Sequence, residues 1–145
     1  MTEPLTARSA YRFWTSDILR FGDTDGQGHI NNAVYATFCE SGRVSLFHNE
    51  GRGLLAPGTN FVIARIELDY RAELHYPGRV DIGTSVLGLG RTSFRLGHAV
   101  FKGELCAATA LSVGVVIDDR TRKSTPLPEK LRTWLETNIP LPLAR

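Results

Sequence analysis

NAVYATFCESGRVSLFHN, Asn32–Asn49, is the stretch whose periodicity governs the fold. Tyr35, Phe38, Cys39, Gly42 and Leu46 recur at i, i+3, i+4, i+7 and i+11, the spacing of one helix face, while Thr37, Ser41, Ser45 and His48 line another. The spacing predicts one long helix. Asn31 or Asn32 can cap its start through a side-chain oxygen, and Gly51 or Gly53 can end it. Its opening, Ala33-Val34-Tyr35-Ala36, leaves little polar surface, so this helix requires cover from a sheet.

The flanks supply that sheet. Tyr11 to Phe21 is rich in aromatic and branched residues and reads as a first strand stopped by Gly22. From Phe61 the period becomes two: Val62, Ala64, Ile66, Leu68 and Tyr70 alternate with Ile63, Arg65, Glu67, Asp69 and Arg71, the pattern of a strand with one buried and one wetter face. Pro77-Gly78 turns the chain, and Val80 to Leu89, Ser93 to Phe101 and Leu105 to Ile117 follow as further strands. The links Gly90-Arg91 and Lys102-Gly103 are short enough only for antiparallel neighbours. Glu129 to Asn138 places Leu131, Trp134 and Leu135 at helical spacing. The expected class is α+β: a curved antiparallel sheet of about five strands wrapped around one long central helix, with a short C-terminal helix. Residues 1–145 are expected to form a single domain. Its open sheet edges call for a twin subunit, so a homodimer is expected.

Composition narrows the partners. A chain of 145 residues, 42% of them hydrophobic, can bury a sizeable core without staples. Cys39 and Cys106 each sit in an apolar stretch, and Glu3, Pro4 and Arg8 make the opening unlike a secretion signal. A reducing, cytoplasmic setting is expected. Seventeen basic against fifteen acidic residues argue against nucleic acid as a partner, and apolar runs of only a few residues argue against a membrane.

Chemistry concentrates before the long helix, in Gly22-Asp23-Thr24-Asp25-Gly26-Gln27-Gly28-His29-Ile30-Asn31-Asn32. A helix start exposes unpaired N–H groups with partial positive charge, so a polar loop aimed at it can stabilise negative charge developing on an oxygen. A nearby carboxylate could then act on a polarised carbonyl. A plain solvated turn has the same composition. The opening Asp23-x-Asp25-x-Gln27-Gly28 has calcium-loop spacing, but its twelfth position is Val34, where a bidentate carboxylate is required. His29, His48, His75 and His98 lie far apart in sequence and the cysteines show no paired spacing, so no metal is expected. Gly88-Leu89-Gly90-Arg91 lacks the third glycine of a dinucleotide fingerprint and links two strands. A nucleophile elbow and a phosphate loop are both missing from the sequence.

The loop, together with Tyr35, Ala64-Arg65-Ile66-Glu67-Leu68-Asp69-Tyr70, Leu89-Gly90-Arg91-Thr92-Ser93-Phe94 and Pro126-Leu127-Pro128, resembles the hotdog-fold acyl-CoA thioesterases of the 4-hydroxybenzoyl-CoA thioesterase type over nearly the whole chain. The resemblance implies that Asp25 is the catalytic carboxylate and that backbone N–H groups near Asn32 hold the thioester carbonyl. His29 would orient water or the carboxylate, or serve structure alone, and Gly28, Asn31 and Tyr35 would complete the substrate side. Arg91, Thr92 and Ser93 would meet the nucleotide of coenzyme A. Glu40 is a second candidate carboxylate, because some hotdog thioesterases place a glutamate on the central helix. Its plainer role is an i,i+3 ion pair with Arg43. No cofactor is implied, coenzyme A arriving as part of an acyl-CoA substrate, and the expected assembly is a homodimer or homotetramer. Asp25 can act as general base or as nucleophile, and the residues do not choose. Two other functions use the same fold or groove. A hotdog enoyl-CoA hydratase spaces its aspartate and histidine five apart around an Asn-Pro pair, whereas Asp25 and His29 are four apart without it. A non-catalytic acyl-CoA sensor gains nothing from an unpaired carboxylate beside a thioester.

Overall fold

The computed structural model describes residues 5–50 and 53–140. Strand β1 (Phe13–Leu19) leads through a short 3-10 turn (Phe21–Asp23) to helix α1 (Asn32–Asn49), followed by strands β2 (Thr59–Tyr70), β3 (Gly78–Leu89), β4 (Ser93–Lys102) and β5 (Leu105–Asp118) and helix α2 (Glu129–Asn138). The sheet has five strands in the order β1-β3-β4-β5-β2, every neighbouring pair antiparallel. This is the hotdog arrangement. No helix of the described residues is long and apolar enough to cross a membrane.

Helix α1 packs on β1, β3 and β4 and buries the predicted face of Tyr35, Phe38, Cys39, Gly42 and Leu46. Gly42 sets the closeness of that contact, since a Cβ there would stand 2.8 Å from Thr84 Oγ1 and 2.9 Å from Ile82 Cγ2. The core divides along the helix. At its N-terminal end Leu19, Ile30, Tyr35, Phe38, Leu74 and Val100 pack together; at its C-terminal end Leu46, Val86, Phe94, Leu96, Leu131 and Leu135 do so beneath α2. The first cluster anchors both arms of the Asp25 loop, through Leu19 and Ile30. Helix α1 closes at Glu50, whose N–H donates to the Leu46 carbonyl; Gly51, one of the two predicted stops, lies outside the described residues.

Strand β2 departs from expectation. Val62, Ile63, Ala64, Ile66 and Tyr70 are all exposed, with Phe61 and Leu68 partly covered. Two causes combine. A register shift between Ile63 and Arg65 interrupts the alternation, and β2 lies at the sheet edge, away from the strands that α1 covers.

Candidate active site

The Asp25 loop is a small antiparallel ladder. Asn31 N–H donates to the Asp23 carbonyl and Asp25 N–H to the His29 carbonyl, both at 2.8 Å, and Thr24 bridges Ile30. Gly28 closes the tip at a φ of 80°, a left-handed conformation suited to glycine. Asp25 Oδ1 accepts the N–H groups of Gln27 at 2.8 Å and His29 at 3.2 Å. Among the described residues, nothing donates to its Oδ2. Asp23 shapes the loop: its Oδ2 accepts the Arg20 N–H at 3.0 Å. The Arg20 guanidinium sits on Asp17 and Asp23, so the half-buried Asp25 carboxylate remains free of a guanidinium.

The return arm runs directly into α1. Asn31 is the N-cap: its Oδ1 accepts the Ala33 N–H at 2.9 Å, and its carbonyl accepts that of Val34 at 2.9 Å. The first four N–H groups of a helix lack intrahelical partners, and these two bonds leave the Asn32 N–H open in the described chain. Tyr70 holds this turn from outside, its hydroxyl donating to the Asn32 carbonyl at 2.9 Å. The loop and the helix start therefore each offer one group without a hydrogen-bond partner among the described residues, a carboxylate oxygen of Asp25 and the Asn32 amide, the latter at the positive end of an 18-residue helix.

Several candidate residues stand elsewhere. Asn31 spends its side-chain oxygen on the cap, so it does not offer that atom to a substrate. Tyr35 is 2% exposed; its hydroxyl donates to the Ala72 carbonyl at 3.3 Å and its ring meets Tyr70 edge-on, which makes it a core residue rather than a substrate contact. Burial raises its pKa. Glu40 is exposed, and the predicted ion pair with Arg43 is not formed, because Arg43 turns inward, is buried, and leaves Nη1 without a partner. Arg91, Thr92 and Ser93 form the β3–β4 turn, at the opposite end of β3 from Gly78, which pairs with Leu19 beside the loop. A 12-residue strand spans roughly 35 Å, so one chain does not bring Arg91 to Asp25. Burial pushes the Cys39 thiol up to about 11, which removes it as a nucleophile.

The structure also adds residues that periodicity could not supply. Ile30 N–H donates to the Leu74 carbonyl at 2.8 Å and His29 bridges His75, so the segment after β2 becomes a third arm of the loop. Glu73 and His75 thereby arrive beside His29. The signal in sequence was only the pair Glu73-x-His75, since nothing local marks its pairing with residues 29–30.

An antiparallel sheet of five strands folded on one long helix is the architecture of the hotdog-fold thioesterases. Residues 19–135 match the Thioesterase-like superfamily, and the chain belongs to it. It is 27% identical over 124 residues to the 1,4-dihydroxy-2-naphthoyl-CoA hydrolase of Synechococcus elongatus, covering 82% of this chain and 91% of that protein. The Picosynechococcus hydrolase of the same name is 29% identical over 127 residues, 81% of this chain and 87% of its own. A thioesterase from Thermus thermophilus, solved in complex with coenzyme A and zinc, superposes with a TM-score of 0.75 at 31% identity, covering 86% of this chain and 98% of that one. Family membership thus agrees with the resemblance read from the sequence; it does not single out the 4-hydroxybenzoyl type.

Proposed function

We propose that this chain hydrolyses the coenzyme A thioester of an aromatic acid, with Asp25 as the acting carboxylate and the Asn32 N–H as the carbonyl pocket. The observation that carries this reading is the free Oδ2 of a carboxylate whose other oxygen is pinned by two backbone amides at the entrance of α1. As a base, that oxygen takes a proton from water while the water oxygen bonds to the thioester carbon. The resulting oxyanion is held by the Asn32 amide and the helix dipole, and C–S cleavage releases the thiolate, which recovers the proton. As a nucleophile, the same oxygen bonds to the carbon, expels the thiolate and forms an anhydride that water then opens. The naphthoyl-CoA hydrolase names of two relatives support an aromatic acyl group.

The reading includes a homodimer. Strand β2 is an edge with exposed Val62, Ile63, Ile66 and Tyr70, and its Tyr70 end lies at the site while its Thr59 end pairs with Asp118, near the Arg91 turn. Antiparallel pairing of β2 with its copy sets these ends against each other. The partner subunit's Arg91 then reaches the loop that this chain's own Arg91 cannot, and its guanidinium suits the phosphates of coenzyme A. The test is thiol release from aromatic and from straight-chain acyl-CoA thioesters, run beside Asp25→Asn. Preference for the aromatic thioesters and a drop of about 10²-fold or more in kcat for the variant are expected. Equal turnover of the two proteins overturns the assignment.

A further inference from the structure

The geometry points to a divalent transition-metal site of the zinc class, formed by His29, Glu73 and His75 beside the Asp25 loop. Backbone pairing builds it. His29 and His75 are opposed in an antiparallel bridge, which places their side chains on one face, and Glu73 lies two residues before His75, which returns it to that face. One nitrogen from each imidazole and one carboxylate oxygen all fall within 4.8 Å of one another. His29 Nε2 stands 3.3 Å from Glu73 Oε2, and His75 Nε2 stands 3.6 Å from the same oxygen. Ligands about 2.0–2.1 Å from a tetrahedral zinc ion are separated along each edge by about 3.3–3.4 Å. These two separations thus already approximate two tetrahedron edges. They exceed the 2.7–2.9 Å typical of a charge-assisted N–H···O bond.

The imidazole rings meet edge to face with centroids 5.0 Å apart, leaving both Nε2 atoms turned toward the carboxylate. Two nitrogens and one oxygen select zinc, cobalt or nickel over magnesium or calcium, which prefer all-oxygen shells. Three protein ligands leave a fourth position for water, and the side-chain exposures of 64% for Glu73 and 57% for His75 keep that position open to solvent. Lys102 is occupied by the backbone, its Nζ donating to the His75 and Pro77 carbonyls. The proposal is independent of Asp25 chemistry, because binding is read without turnover.

The experiment uses untagged, chelator-treated full-length chain titrated with Co²⁺ and Zn²⁺, following cobalt visible absorption and zinc by competition with a chromophoric chelator. One equivalent per chain is expected, with no competition from Mg²⁺ or Ca²⁺ at equal concentration. Glu73→Gln and His75→Asn should each weaken binding by at least about tenfold, and Zn²⁺ should raise the Tm of the wild type more than that of either variant. Circular dichroism of the metal-free proteins checks that both exposed substitutions leave the fold intact. Substoichiometric uptake, equal affinity in both variants, or loss of binding on His48→Asn or Cys106→Ser overturns the site.

Discussion

His29 and Asp25 are joined twice: the Asp25 N–H donates to the His29 carbonyl at 2.8 Å, and the His29 N–H donates to Asp25 Oδ1 at 3.2 Å. The two carboxylate oxygens are therefore separable, Oδ1 holding the loop and Oδ2 left without a donor among the described residues. Asp25→Asn can keep the first duty through its amide oxygen, whereas Asp25→Ala loses both. Denaturant titration should show the alanine variant about 1 kcal/mol less stable than the asparagine variant, while both lose thioesterase activity. Equal stability of the two would mean that the Oδ1 bonds contribute nothing to folding.

At Gly42 helix α1 lies close against the sheet, and the atoms that would meet a Cβ belong to Thr84 and Ile82, both buried. Neither can swing into solvent. Gly42→Ala is expected to destabilise the fold by about 1–3 kcal/mol despite the higher helix propensity of alanine, which favours it by only about 1 kcal/mol. A denaturation midpoint unchanged from wild type would contradict the packing.

His98 is fully buried between Thr84 and Ser112, with Nε2 2.8 Å from Ser112 Oγ, and burial, aided by the Arg43 charge, lowers its pKa from 6.5 to about 3. Between those values the unfolded chain binds a proton that the folded chain refuses. The associated stability is complete above about pH 6.5 and is lost as pH falls toward 3, with a slope of up to about 1.4 kcal/mol per pH unit. Denaturation of His98→Asn at pH 5 and pH 7 should show a shallower pH dependence than the wild type. Parallel slopes for the two proteins would assign the effect to other groups.

Ile66 is exposed on the edge strand β2. Light scattering should find the wild type dimeric and Ile66→Lys monomeric, with activity falling alongside dimer content, because the proposed dimer brings the other copy's turn to each site. Arg91→Ala should raise KM for acyl-CoA more than it lowers kcat, with dimer content unchanged. A fully active monomer would remove both expectations.

Local order was legible in sequence because its causes are local. The helix bounds Asn32–Asn49 and Glu129–Asn138 follow from periodicity and capping, and the strand bounds of β3, β4 and β5 lie within about two residues of the turn signals. The loop's composition likewise marked the stretch before the helix, since glycines and amides before a helix start are a local pattern, and the resemblance singled out Asp25 within it. Asn31 and Tyr35 carried two readings each in the sequence, and the structure places the Asn31 side chain on the cap and the Tyr35 ring in the core, the roles that capping preference and helical periodicity had offered.

What tertiary structure alone decided is everything that depends on pairing across distance. Edge position and a register shift, against the alternation in the sequence, left β2 exposed; strand length, not motif, carried Arg91 to the far end of the sheet; and the bridge between His29 and His75 brought together two imidazoles and the Glu73 carboxylate from segments more than 40 residues apart. A strand's pattern encodes how its two faces differ, and says nothing of which strand lies beside it.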